Sequence, residues 1–160
     1  MKHNDFKENY EALATQQFLP AYNALMKTHF RAVPCDRVAP DVFSQDTVTG
    51  EILNLEITFA TVSPHGPLVW RAMLEGTYKS PGAQKEDDQI EVQACADNIN
   101  KKFDKRYGSN VALVVFHWGP IVPWHEHLDL LHWMVDFDQS PFDKGVWLLS
   151  WRRLHKLDCL

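Results

Sequence analysis

The sequence predicts one α/β domain, and three observations predict it. Two long stretches carry apolar residues at helical spacing, shorter runs between them alternate or are continuously apolar, and turn residues separate the two kinds. At 160 residues the chain fits a single domain, residues 1–160, with no internal repeat or long linker. Hydrophobic residues make up 45%, enough for a substantial core at this length. The expected order is helix, strands, helix, strand, helix, strand.

Asn4 and Asp5 can cap a first helix, and Asp5-x-x-Glu8 echoes a capping box. Phe6, Tyr10, Leu13, Ala14, Phe18, Ala21 and Leu25 recur along it, with Pro20 expected to kink or split it. The stretch RAVPCDRVAP is punctuation. Residues 37–45 and 51–60 read as a hairpin whose loop TVTG supplies the glycine of a tight connection. In its second strand Leu53, Leu55, Ile57 and Phe59 share one face, while Asn54, Glu56 and Thr58 share the other. PLVWRAMLEGTYK reads as a third strand, with a short helix as the alternative, and SPGAQKEDDQ as a loop.

A helix follows over about 88–107, with Val92, Cys95, Ala96, Ile99 and Phe103 in one stripe and Gly108 beyond its end. NVALVVF is a buried central strand. Pro123 can start a helix over 124–135, with core positions Trp124, Leu128, Leu131 and Val135. GVWLLSW is a last strand, and RRLHKLDCL a basic tail, helical or frayed.

The net charge of −5 and pI of about 5.9 argue against tight nonspecific nucleic-acid binding, although a local basic patch is compatible with them. MKHNDFKENY has no apolar run of a signal peptide, and Val111–Phe116 is too short to span a bilayer. Cys35, Cys95 and Cys159 are scattered without CxxC spacing, which suits free thiols in a reducing cytoplasm. There is no P-loop, GxGxxG or GxSxG.

The stretch APDVFSQDTVTGEILNLEIT raises a chemical question: a glutamate interrupts its most apolar run. With Thr47–Gly50 as the loop, Asp46 faces Glu51, and counting outward puts Asp41 opposite Glu56. Facing side chains share one side of a sheet, with Cβ atoms about 4.5–5.5 Å apart. Two like charges there need solvent, a shared proton or a cation. A hard divalent ion is suited to two carboxylates completed by water and phosphate oxygens. The plainer alternative is the solvated face of an ordinary hairpin. A one-residue slip would put the two acids on opposite faces.

Pro40-Asp41, the hairpin and Leu55–Thr58 together resemble the PD-(D/E)xK signature of restriction-endonuclease-like phosphodiesterases. The helix, strand meander, crossing helix with INKKFDKRYGSNVALVVF and further strand resemble that fold over roughly residues 5–117. The resemblance implies a three-layer fold with a central mixed sheet and flanking helices. It implies a Mg²⁺ (or Mn²⁺) ion held by Asp41 and Glu56, and DNA or RNA as substrate. The chain departs from the signature where the motif lysine belongs: that position is Thr58, which carries no positive charge. Lys102, bordering the buried stripe of the second helix, is the candidate replacement, with Thr58 at most orienting a water. The first helix of the fold can add an acid, for which Glu11 is the best candidate and Glu8 the next. A non-catalytic interaction or scaffold module of the same fold is the alternative function.

A third reading is a zinc hydrolase. His125, Asp129, His132 and Asp136 sit at i, i+4, i+7 and i+11, with His117 on the preceding strand. Pairs at this spacing also simply hydrogen-bond on a polar helix face. The tryptophans of this region (Trp118, Trp124, Trp133, Trp147 and Trp151) read as core or as a homodimer interface. Arg152 and Arg153, beside Trp147 and Trp151, could grip nucleic acid or be plain surface charge.

Overall fold

A computed structural model describes residues 3–35, 40–60, 85–117, 124–150 and 153–159. The elements are α1 (His3–Met26), β1 (Phe30–Val33), β2 (Val42–Asp46), β3 (Ile52–Phe59), α2 (Lys85–Phe103), β4 (Val111–His117), α3 (Trp124–Met134), a 3₁₀ turn (Phe137–Gln139), β5 (Val146–Ser150) and β6 (Arg153–Lys156). The α/β class is as expected. Six strands form one mixed sheet in chain order, β1-β2-β3-β4-β5-β6. Strands β3, β4 and β5 are mutually parallel; β1, β2 and β6 are added antiparallel.

Burial follows from the side-chain alternation of the strands. Leu53, Leu55, Ile57, Ala112, Val114, Phe116 and Trp147 pack on α1 through Tyr10, Ala14, Phe18 and Tyr22, four residues apart on one helix face. The opposite face presents Leu113, Val115, Val146 and Leu148 to Val92, Cys95, Ala96 and Ile99 of α2, and to Trp124 and Leu131 of α3. Every residue of β4 is buried, as a strand covered on both faces and paired on both edges requires.

The boundaries correct several expectations. Helix α1 runs through Pro20 without a break in its assignment. Proline cannot donate to the carbonyl of Gln16, but both residues lie on the exposed side, where water can serve that group. Leu19 and Tyr22 are core residues of α1, whereas Leu25 is exposed. The first hairpin strand starts at Val42, with Pro40 and Asp41 in a bend. The tail expected to be helical or frayed contains a strand, β6, which pairs with β5. Strand β1 falls in a stretch taken for punctuation, and it completes the meander on the outer side of β2. The strand expected in PLVWRAMLEGTYK lies outside the described residues, as do Trp118, Trp151 and Arg152.

Two polar side chains attach β1. Lys27, at φ 57°, ends α1 in a left-handed turn, and Thr28 N–H donates to the Asn23 carbonyl at 3.1 Å. The Asn23 amide then pairs with both backbone groups of Phe30, accepting its N–H at 2.8 Å and donating to its carbonyl at 2.9 Å. Asp46 accepts N–H bonds from His29, Val48 and Thr49 at 2.6, 2.8 and 2.9 Å. The bonds from Thr49 and His29, against the opposing effect of desolvation and with help from Val48, hold its carboxyl down to about 2. Asn23→Ala is expected to cost about 2 kcal/mol, because it strips both groups of Phe30 of a partner. Urea unfolding measures this; a midpoint equal to the parent's would mean that β1 docks without Asn23.

Candidate active site

The hairpin has the register counted from the TVTG loop. Gly50, at φ 77°, donates its N–H to the Asp46 carbonyl at 3.0 Å, and Asp46 N–H reaches the Glu51 carbonyl at 2.9 Å. Val42 pairs with Leu55, the last pair of the ladder, and Asp41 lies just outside it, in the bend that leads into β2. The side chains of Asp41 and Glu56 are 8% exposed in each case.

Asp41 stands where β2 leaves the side of β3. The odd-numbered N–H groups of β3 face β2, since Asn54 N–H turns the other way, to the Asn110 carbonyl beside β4, at 2.7 Å. Ile57 N–H is the first with no β2 residue opposite, and Asp41 Oδ2 accepts it at 2.8 Å. The other oxygen, Oδ1, meets Lys7 Nζ of α1 at 3.3 Å, and Lys7 also pairs with Glu11 Oε1 at 3.1 Å. The Glu11 carboxyl titrates above its ordinary range, first because it is partly buried and then because Asp41 is negative beside it. Glu11 and Asp41 thus share the Lys7 ammonium, while Glu8 is exposed.

Glu56 projects from the face of β3 that carries α2. Lys102, in the last turn of α2, reaches its Oε1 at 2.5 Å, and its side chain is 19% exposed. Tyr107, four residues past the end of α2, donates its hydroxyl to the same oxygen at 3.2 Å. The Tyr107 phenol is held well above its ordinary range by burial, by the charge of Glu56 and its hydrogen bond, and by the charge of Asp41. It keeps its proton and donates it in the hydrogen bond to Glu56 Oε1. Thr58, one pleat beyond Glu56, is half-buried, and its carbonyl accepts the Tyr10 hydroxyl at 2.8 Å.

The acids therefore come as a pair, Glu11 with Asp41, and a single one, Glu56 with Lys102. Among the described residues no three His, Cys, Asp or Glu side chains form a group that could hold a metal ion. This donor set is not a cage for a transition metal. It suits a hydrated hard cation, which needs only one or two carboxylates. One pleat before Glu56, on the same face, Asn54 Oδ1 is buried with no hydrogen-bond partner among the described residues and adds a hard oxygen.

The histidine stripe is dispersed. His125 and Glu126 pair at 3.5 Å on the surface, and Asp129 is exposed. The His132 ring lies 4.9 Å from that of Phe137. Asp136 lies beyond α3 and accepts the Asp138 N–H, capping the 3₁₀ turn. His117 is buried, with Nδ1 3.3 Å from Ser150 Oγ and its ring edge-on to Trp124. Trp124 and Trp147 are core residues, Trp133 is 83% exposed, and Arg153 is exposed at the start of β6.

No sequence signal pointed to Tyr107 or Lys7, since each reaches its acid across the fold. The domain belongs to the mixed α/β class. No family model, curated protein or solved structure matches the chain. No helix among the described residues is long and apolar enough to cross a membrane.

Proposed function

We propose that the chain is a metal-dependent nuclease of restriction-endonuclease-like type that hydrolyses DNA or RNA phosphodiester bonds, with Asp41, Glu56 and Lys102 at its centre. The observation that carries this reading is the Lys102 ammonium on Glu56, one residue past the last ladder pair, Val42–Leu55, next to which Asp41 enters β2. It puts a positive charge beside Glu56 although its own strand carries Thr58 where the motif lysine belongs. The sequence α1, meander β1-β2-β3, α2, β4 also supports the proposed fold.

Asp41 and Glu56 would hold Mg²⁺ or Mn²⁺ with water completing its shell, and Glu11, which shares Lys7 with Asp41, does not join them in a three-acid group among the described residues. The bound ion would supply neutralisation of phosphate charge and a more acidic water. The water oxygen attacks phosphorus, the bond to the leaving oxygen breaks, and the water proton ends on that oxygen. Lys102 offsets the negative charge gathering on the phosphate, and Thr58 orients water at most. Basic surface for the nucleic acid would come from Lys101, Lys105 and Arg106, exposed around the end of α2. A second copy joined through the tryptophan-rich part would add more.

The test is cleavage of labelled duplex DNA and of RNA with Mg²⁺, Mn²⁺ or EDTA. Cleavage should require the metal and fall at least about 100-fold in Glu56→Gln and in Lys102→Ala. Cleavage in EDTA, or undiminished in both variants, refutes the assignment.

One observation favours the non-catalytic alternative. Asp41 already has a structural use, since both its oxygens are engaged, by Ile57 N–H and by Lys7. An interaction module would retain the acid for that reason alone. It would bind no divalent ion and would still lose stability on Asp41→Ala.

A further inference from the structure

Two donors converge on one oxygen of Glu56. Lys102 Nζ and the Tyr107 hydroxyl both meet Oε1, at 2.5 and 3.2 Å, and no bond from a described residue falls on Oε2. The tyrosine comes from the turn after α2, 51 residues away along the chain. Its ring is held in place by buried Phe142, with ring centroids 4.5 Å apart. The hydroxyl is therefore delivered from a supported ring.

We infer that Tyr107 is a positioning residue for Glu56: with Lys102 it fixes Oε1 and turns Oε2 towards the position of the cation. This inference rests on the nuclease reading and deepens it, because it assigns the orientation of one proposed ligand to a residue outside the motif. A carboxylate with one oxygen held by two donors has a single remaining lone-pair edge. Outer contacts of this kind orient ligands, and their loss typically weakens metal binding by a factor of 10 or more. Tyr107→Phe deletes the hydroxyl alone and keeps the ring against Phe142, so the fold should hold.

The experiment titrates the parent protein and Tyr107→Phe with Mg²⁺ alone, read by calorimetry. In parallel, the ¹³Cζ resonance of labelled tyrosine is followed, with the Tyr107 signal assigned by its loss in the variant. Mg²⁺ should bind the variant about tenfold more weakly. The Tyr107 signal of the parent should move along the same saturation curve, because an ion on Oε2 weakens Oε1 as an acceptor. A merely structural tyrosine would lower the melting temperature and leave both readouts unchanged. Heat from Mg²⁺ with equal affinity in the two proteins and a static Tyr107 signal overturns the role of Tyr107 and leaves the nuclease reading standing. No heat from the parent protein overturns both.

Discussion

Lys102→Met is expected to destabilise the protein by about 3 kcal/mol, at the lower end of what losing one member of a buried ion pair costs. The reason is asymmetric. The Glu56 side chain is only 8% exposed, and without the ammonium it keeps one neutral donor among the described residues, Tyr107. Methionine keeps most of the apolar stem of Lys102, so the loss is mainly electrostatic. Glu56→Gln combined with Lys102→Met removes both charges and should cost less than the sum of the two single changes, by about 2 kcal/mol. Urea unfolding of the four proteins gives that coupling directly. Additive losses would mean that the pair is screened by water and that Lys102 is a surface lysine.

Acidification from pH 6.5 to pH 4 is the second large perturbation. Burial lowers His117 to about 4, against 6.5 for the free imidazole. Over this window the unfolded chain binds a proton that the folded chain does not, so stability falls as pH falls and is regained as pH rises. The full difference is about 3 kcal/mol, taking 1.36 kcal/mol for each pH unit. His155, partly buried and beside Arg153 and His125, is lowered as well and adds to the same slope. Among the described residues, the groups in contact with His117 are neutral, Ser150 Oγ and the Trp124 ring. His117→Phe should flatten most of the slope between pH 4 and 6.5 in denaturant midpoints. An unchanged slope would show that His117 takes up its proton in the folded state.

Much of the frame was legible because period and turn chemistry carried it. The TVTG loop alone set the register, Val42 against Leu55, and the alternation of β3 set the face of Glu56. The apolar stripe of α2 placed Lys102 at the margin of the core, near enough for its stem to cross to the acid. What escaped reading lacks a local signature. Strand β1 has three exposed residues of four and exists through β2 and Asn23. Strand β6, RLHK, has charged residues at both ends and is defined by β5. Proline at position 20 signals a break, but it falls on the exposed side of α1, where water can reach the carbonyl it leaves unpaired. Tyr107 and Lys7 are ordinary in sequence; only the packing of a helix end and of α1 brings them to the acids.

The proposed sharing of one cation by Asp41 and Glu56 is the centre of the account, and Mg²⁺ calorimetry on Asp41→Asn and Glu56→Gln tests it most directly. The parent protein should give a saturable heat for one ion per chain, and each variant should lose it. A parent that takes up no Mg²⁺, or variants that take it up as well as the parent, would contradict the account.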